Sequence, residues 1–197
     1  MAGTKNLPGD VPVKIFKSYA DWEAWLAKHH ASSHGLWLKV AKKGSGQKSV
    51  TYDEAVEAAL CYGWIDGQKK PFDDRFWLQK FTPRGPKSIW AKRNRQKAEK
   101  LMESNRMTLA GEKAIEAARR DGRWAAAYDS PRSAEVPADL QKQLNHNPKA
   151  KAFFASLDGA NRYAILFRIQ TAKKETTRAK RILQFVRMLE NGERLHP

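Results

Sequence analysis

"WIDGQKKPFDDRFWLQKF" (residues 64–81) decides the fold. Two runs with strand-forming residues, WIDGQ (64–68) and RFWLQKF (75–81), flank Pro71 and the Asp73–Asp74 pair. Asp and Pro at a joint suit a hairpin loop, because Asp bonds nearby backbone and Pro presets φ. Strands this close leave no room for a crossover helix, which takes a connection of about a dozen residues. The expected fold class is therefore α+β, with a small mixed or antiparallel sheet rather than a long parallel βαβ array.

Upstream, VPVKIF (11–16) reads as a short strand. Ser18 then caps a helix whose Trp22, Trp25, Leu26 and His29 share a face. LWLKV (36–40) alternates as a strand does, and KKGSGQKS (42–49) is a Gly/Ser loop. Thr51 and Glu54 have capping-box spacing and open the helix YDEAVEAALCYG, which Gly63 ends. Downstream, TPRGP (82–86) breaks the chain, and Ser88 is expected to cap a long basic helix reaching about Asn105. Thr108 opens a further helix ending near Gly122.

Residues 1–128 are thus expected to form an α+β domain, 129–137 (DSPRSAEVP) a linker, and 138–197 an all-helical C-terminal module. In the last helix Ile182, Phe185, Val186 and Leu189 fall in one arc. Lys174, Arg178 and Arg181 flank it on one side, and Lys173, Lys180 and Arg187 on the other.

Charge is the dominant compositional feature, with a net +16 over 197 residues. Residues 61–100 hold 11 Lys/Arg against 4 Asp/Glu, and residues 173–187 hold 6 against 1. Cations concentrated in this way favour an anionic ligand or polyanion. Nucleic acid is one such partner, without sequence preference, since no helix-turn-helix, zinc-finger or RNP pattern is present. The basic surface expected to serve it comprises Arg93, Lys174, Arg178 and Arg181.

The residues exclude several other chemistries. No stretch nears the roughly 18 apolar residues of a transmembrane segment, and MAGTKNLPGDVPVKIFKSYA has no secretory h-region. Cys61 is the single cysteine, so neither an intrachain disulfide nor a thiolate-rich zinc site is expected. A reduced, cytoplasmic setting follows, and the oligomeric state is left open. Near the C-terminal end of its helix Cys61 reads as a buried filler rather than a nucleophile. GSGQKS (44–49) lacks Walker A spacing, and His30 with His34 lack a third ligand. No cofactor and no metal are expected.

Within 61–90, Asp66, Asp73 and Asp74 stand among Lys69, Lys70, Arg75, Lys80 and Arg84. Salt bridges and an Asx-turn at Asp73 account for most of them. Asp66 is set apart because it follows Trp64–Ile65 and is expected to face a half-buried aromatic pocket. Trp64, Trp77 and Trp90, beside Lys69, Arg84 and Arg93, could form a stacking surface rimmed by cations. Core packing is expected for most of these rings, with one or two left at a cleft.

Three segments carry a family resemblance: "GWIDGQKK" (63–70), "WLQKFTPRGPKSIWAKRN" (77–94) and "MTLAGEKAIEAARRDGRWAAAY" (107–128). The tail (153–194) adds Ala172, Lys173, Glu175, Thr177, Arg178 and Arg181–Ile182 in an AK-x-x-(E)-T-R-x-x-R-I pattern. Together they resemble the YdeI/OmpD-associated, or bacteriocin-protection, family. The resemblance implies a link to bacteriocin, antimicrobial or stress resistance, and brings no reaction or cofactor. By resemblance the family-defining positions include Trp64, Asp66, Lys69, Asp73 and Arg84. Phe81, Thr82, Pro83, Ser88, Trp90 and Asn94 complete the set. The ligand-binding candidates are accordingly Trp64, Asp66, Lys69, Asp73, Arg84, Ser88, Trp90 and Asn94.

The expected function is non-enzymatic binding of an anionic partner in a basic aromatic cleft. The alternatives are a small enzyme using Asp66 with Lys69 or Arg84 on a phosphorylated or carboxylated metabolite, and a non-sequence-specific nucleic-acid-binding protein.

Overall fold

A computed structural model describes residues 11–197. The first ten residues, part of the N-terminal stretch read for a secretory signal, lie outside the described residues. The chain divides into two compact units: Met1–Ile89 with Asn94–Ala125, and Trp90–Arg93 with Ala126–Pro197. Among the described residues no helix is long and apolar enough to cross a membrane.

The first unit is built on a four-stranded mixed sheet: β1 (Val13–Lys14), β2 (Leu36–Ala41), β3 (Trp64–Pro71) and β4 (Phe76–Pro83), in the order β1-β2-β4-β3. Helix α1 (Tyr19–His29) links the parallel pair β1 and β2; the other pairings are antiparallel. The fold is α+β, as expected. β1 is shorter than 11–16 because the Phe16 carbonyl accepts from the Val50 amide instead of continuing the ladder. β3 is longer than 64–68: Lys69, Lys70 and Pro71 pair with Gln79, Leu78 and Trp77. Proline is tolerated there because β3 is an edge strand, where its missing N–H interrupts nothing.

Between Asp66 and Lys69 the register shifts, as in a bulge. Buried Gln79 compensates: its Nε2 donates to the Gly67 and Gln68 carbonyls at 2.9 and 3.3 Å. The hairpin loop is closed by Asp73, whose Oδ1 accepts from the Arg75 and Phe76 amides at 2.8 and 2.7 Å. The Thr51–Glu54 capping box opens α2 (Tyr52–Cys61) and fixes where Tyr52 stands.

Ser88 does not cap a helix. Its Oγ accepts from the Gly85 amide at 3.0 Å, closing a turn, and α3 starts only at Lys92, running to Glu103. Thr108 precedes α4 (Leu109–Arg120), but its hydroxyl donates to the Cys61 carbonyl at 2.6 Å rather than capping α4.

In the second unit an isolated bridge pairs Ala91 with Tyr128. Four helices follow: α5 (Ala138–His146), α6 (Pro148–Ser156), α7 (Gly159–Gln170) and α8 (Glu175–Glu190). Asn147 and Asp158 cap α6 and α7 through the Ala150 and Asn161 amides. Leu140, Leu144, Phe154, Ile165, Ile182 and Phe185 are among the core residues. Residues 129–137, read from sequence as a linker, are part of this unit.

Two outcomes follow for the first unit. A Cβ at Gly111 would lie 2.5 Å from the Cys61 carbonyl oxygen and 2.8 Å from that of Leu60. Gly111→Ala should gain about 1 kcal/mol of helix propensity yet lose about 1–3 kcal/mol net, because backbone atoms cannot yield cheaply. Urea unfolding with an unchanged m-value checks it. Burial holds the Cys61 thiol up, to about 11. Thiol-reagent labelling at neutral pH should therefore follow unfolding, and the melting temperature should be independent of reductant.

Candidate functional site

Asp66 leaves β3 just before the bulge, and both of its oxygens are engaged. Oδ2 accepts from the Tyr52 hydroxyl at 2.6 Å, and Oδ1 from Asn94 Nδ2 at 3.3 Å. Asn94 is buried. The Tyr52 ring stands 5.9 Å from that of Trp77, and Lys69 Nζ lies 4.3 Å over the Trp77 ring. The structure thus gathers Asp66, Asn94, Lys69 and Trp77 into one connected patch, with Tyr52 as the member sequence reasoning missed. Its signal was local: Tyr52 is the first residue after the capping threonine.

The aromatic residues do not form an open stacking platform. Trp64 and Trp90 are each 1% exposed and have no face to offer a ligand. Trp64 meets Trp22 and Trp25 edge-on and donates its Nε1–H to the His30 carbonyl at 3.1 Å. The sheet's lysines lie over its rings instead of rimming a cleft: Lys39 over Phe72 at 4.2 Å, Lys70 over Trp37 at 4.8 Å, and Lys69 over Trp77. Each such contact contributes on the order of 0.5–1 kcal/mol at an exposed site. A planar ligand at Trp77 would have to displace Lys69.

Asp73 acts within its turn. Against the cost of desolvation, the Arg75 and Phe76 amides hold its carboxyl below the usual range. Arg84 donates Nη1–H to the Ile89 carbonyl at 3.3 Å, and the Ser88 carbonyl accepts from Arg123 at 2.8 Å. These two candidates therefore support the loop after β4. The His30 ring Nδ1 is 2.9 Å from the Leu26 carbonyl oxygen, and no group of three or more His, Cys, Asp or Glu side chains is placed for a metal among the described residues.

In the second unit Lys92, Asp129, Gln170 and Arg178 line a polar cleft of about 450 Å³. Lys92 Nζ lies 2.7 and 2.9 Å from the two Asp129 oxygens, and Gln170 Nε2 donates to Oδ2 at 2.7 Å. The Asp129 amide donates to Gln170 Oε1, and its carbonyl accepts from Tyr163. Despite desolvation, the Lys92 and Gln170 bonds hold the Asp129 carboxyl low. This network went unseen because its members are 37 and 41 residues apart, beyond any helical or strand periodicity.

The expected basic surface splits in two. Arg178 grips Asp139 with Nε and Nη2 at 2.6 and 2.9 Å and donates Nη1–H to the Ile169 carbonyl at 3.1 Å. Arg181 donates to the Arg168 carbonyl. Both lie against their own unit, joining α8 to α5 and α7. Lys174 and Arg93 are exposed, as are Lys173, Lys180 and Arg187. No ion pair holds Lys173, Lys174, Lys180 or Arg187 among the described residues.

A mixed-sheet α+β unit followed by a helical unit with a basic outer surface is the class this chain defines. Residues 14–114, just over half of it, match a domain of unknown function (DUF8412). Residues 133–192 match the family described as Bacteriocin-protection, YdeI or OmpD-Associated. The chain belongs to the first of these families, and its helical segment carries the YdeI/OmpD-associated domain match. The sequence segments 63–70 and 77–94 and the start of 107–128 fall under the first match, α5 to α8 under the second. No curated protein and no solved structure matches the chain.

The Arg178 grip makes the second unit acid-sensitive. The Arg178 hydrogen bonds hold the Asp139 carboxyl below its ordinary 3.8. A carboxyl lowered by folding contributes stability above its unfolded value and loses it as pH falls through the folded one. Arg178→Ala should cost about 1 kcal/mol at neutral pH, a bidentate but half-exposed pair. It should also flatten the loss of stability below about pH 4. Urea unfolding across that range, with Asp139→Asn as comparison, measures both.

Proposed function

We propose that this chain is a non-catalytic binding protein that holds an anionic partner on the basic surface of its helical unit. Its YdeI/OmpD-associated domain match ties the reading to bacteriocin protection or a related stress resistance. The carrying observation is the row Lys173, Lys174, Lys180 and Arg187: exposed and held in no ion pair among the described residues, while neighbouring Arg178 and Arg181 are engaged internally. Lys173 and Lys174 lie just before α8 and Lys180 and Arg187 two turns apart on it, so an anion along this stretch gains attraction from cations that no carboxylate answers among the described residues. A reducing, cytoplasmic setting belongs to this reading, supported by the lone, buried Cys61 thiol.

The catalytic alternative through Asp66, with Lys69 or Arg84, has weaker support. Both Asp66 oxygens already accept from Tyr52 and Asn94, and the Lys69 ammonium lies over Trp77. A general base must lie within hydrogen-bond reach of the proton it takes, and the Tyr52 and Asn94 bonds turn both carboxylate oxygens toward protein partners.

The reading is tested by titrating labelled polyglutamate and single- and double-stranded oligonucleotides at several salt concentrations. Binding should persist at physiological ionic strength. Log affinity should fall linearly with log salt, and Lys173→Ala with Lys174→Ala should reduce that slope by roughly one unit per lost contact. Absence of binding to every polyanion at physiological salt would remove the proposal.

A further inference from the structure

The apolar residues of α8 do not all face inward. Ile182, Phe185, Val186 and Leu189 enter the core of the helical unit, yet Leu183, at the edge of that face, is 57% exposed. Large hydrophobic side chains this exposed are few among the described residues, and this one is flanked by concavities on both sides. One groove, about 410 Å³, lies toward α5 and is lined by Ala179, Ile182, Leu183 and Gln143. The other, about 510 Å³, runs toward the end of α8 along Gln184, Arg187 and Met188, with Leu183 again its wall. Leu183 is the ridge between them.

Charge selects the occupant. Lys180 and Arg187 stand three residues before and four after Leu183, so both cations border the ridge on the helix's solvent face. Lys173 and Lys174 precede the helix. The nearby acids stand at the ends of the face: Asp139 is gripped by Arg178, Glu175 lines the first groove at the start of α8, and exposed Glu190 and groove-lining Glu193 stand at its finish. The middle of the face is therefore basic and apolar together. Nucleic acid would satisfy the cations, but an aliphatic ridge offers no ring on which a base can stack. An acidic polypeptide satisfies both features, since a carboxylate row pairs with the cations while a bulky apolar side chain enters a groove beside Leu183.

We propose that this face of α8 is a docking site for an acidic protein segment bearing a bulky apolar anchor. The inference rests on the reading above, that the partner is anionic, and names its class and its seat. Apart from Glu193 at the rim of one groove, it lies within residues 133–192, the segment matched by the YdeI/OmpD-associated family.

The test uses the full chain and two labelled peptides at physiological salt: a Glu/Ala helix with a central Leu–Phe anchor, and the same helix with Ala in its place. The anchored peptide should bind at least about ten-fold more tightly, as expected of a buried hot-spot side chain. Leu183→Ala should abolish that preference, and Lys180→Glu with Arg187→Glu should weaken both peptides. All three positions are exposed, so circular dichroism and melting temperature should be unchanged. Equal affinity for the two peptides, or indifference to Leu183→Ala, would overturn the docking site while leaving anion binding standing. Oligonucleotide binding that exceeds both peptides and ignores Leu183 would give the surface to nucleic acid instead. If neither the peptides nor any polyanion binds, the anionic-partner reading falls with it.

Discussion

The first unit depends on one indole. Trp22 is fully buried and donates its Nε1–H to the Ala55 carbonyl at 3.1 Å, fastening α1 to α2. Its ring meets Phe16 at 5.1 Å, stacks on Trp25 at 5.4 Å and approaches Phe81 of β4 at 5.6 Å and Trp64 of β3 at 6.3 Å. One side chain thus touches the segment after β1, its own helix and both hairpin strands. Burying a ring this size without its N–H satisfied would forfeit part of the gain, and the Ala55 carbonyl removes that cost. The β1–α1–β2 crossover places the parallel strand beside an otherwise antiparallel sheet because α1 must cover this cluster.

From that anchor the position of Asp66 follows. Trp64 is held by the cluster, so β3 enters the sheet at a set height, and Asp66 faces Tyr52 and Asn94. The two residues after it could not continue the ladder in register, and Gln79 takes up their carbonyls. A buried glutamine on β4 is otherwise hard to explain, since an apolar residue there would pack at no polar cost. The bulge and Gln79 are one device: the bulge shifts the register of the edge strand, and Gln79 satisfies the carbonyls that the shift leaves. Exposed Lys69, Lys70 and Pro71 then leave this edge unsuited to pairing with another chain.

What the sequence revealed was local. The hairpin, the Thr51–Glu54 box and the inward arc Ile182, Phe185, Val186 and Leu189 each rest on contacts a few residues apart, and each is present. Ser88 misled because serine before a basic helical run looks like a cap, whereas Gly85 lay close enough to claim its hydroxyl. Trp64 and Lys69 suggested a ligand platform because composition cannot show whether a cation lies over a neighbouring ring or stands clear of it. Arg178 and Arg181 posed the same difficulty on α8: periodicity puts them beside the apolar arc, but only the fold shows that Asp139 and two main-chain carbonyls meet them. Lys92, Asp129 and Gln170 were illegible for a simpler reason, their separation along the chain.

The placement of cations separates structure from function in this protein. A lysine over an aromatic ring, or a lysine or arginine paired with an aspartate, already has its field answered, and an incoming anion must break that contact before it gains another. Lys39, Lys69, Lys70, Lys92 and Arg178 are of this kind. Lys180 and Arg187 are not, and they border the one large aliphatic side chain of α8 that its core does not use. Solubility alone would account for exposed lysines, but it is not served by setting an uncovered leucine among them, since exposed apolar surface promotes association. Cations and leucine together make sense as the two halves of one recognition surface, where the charges govern encounter and the side chain governs residence.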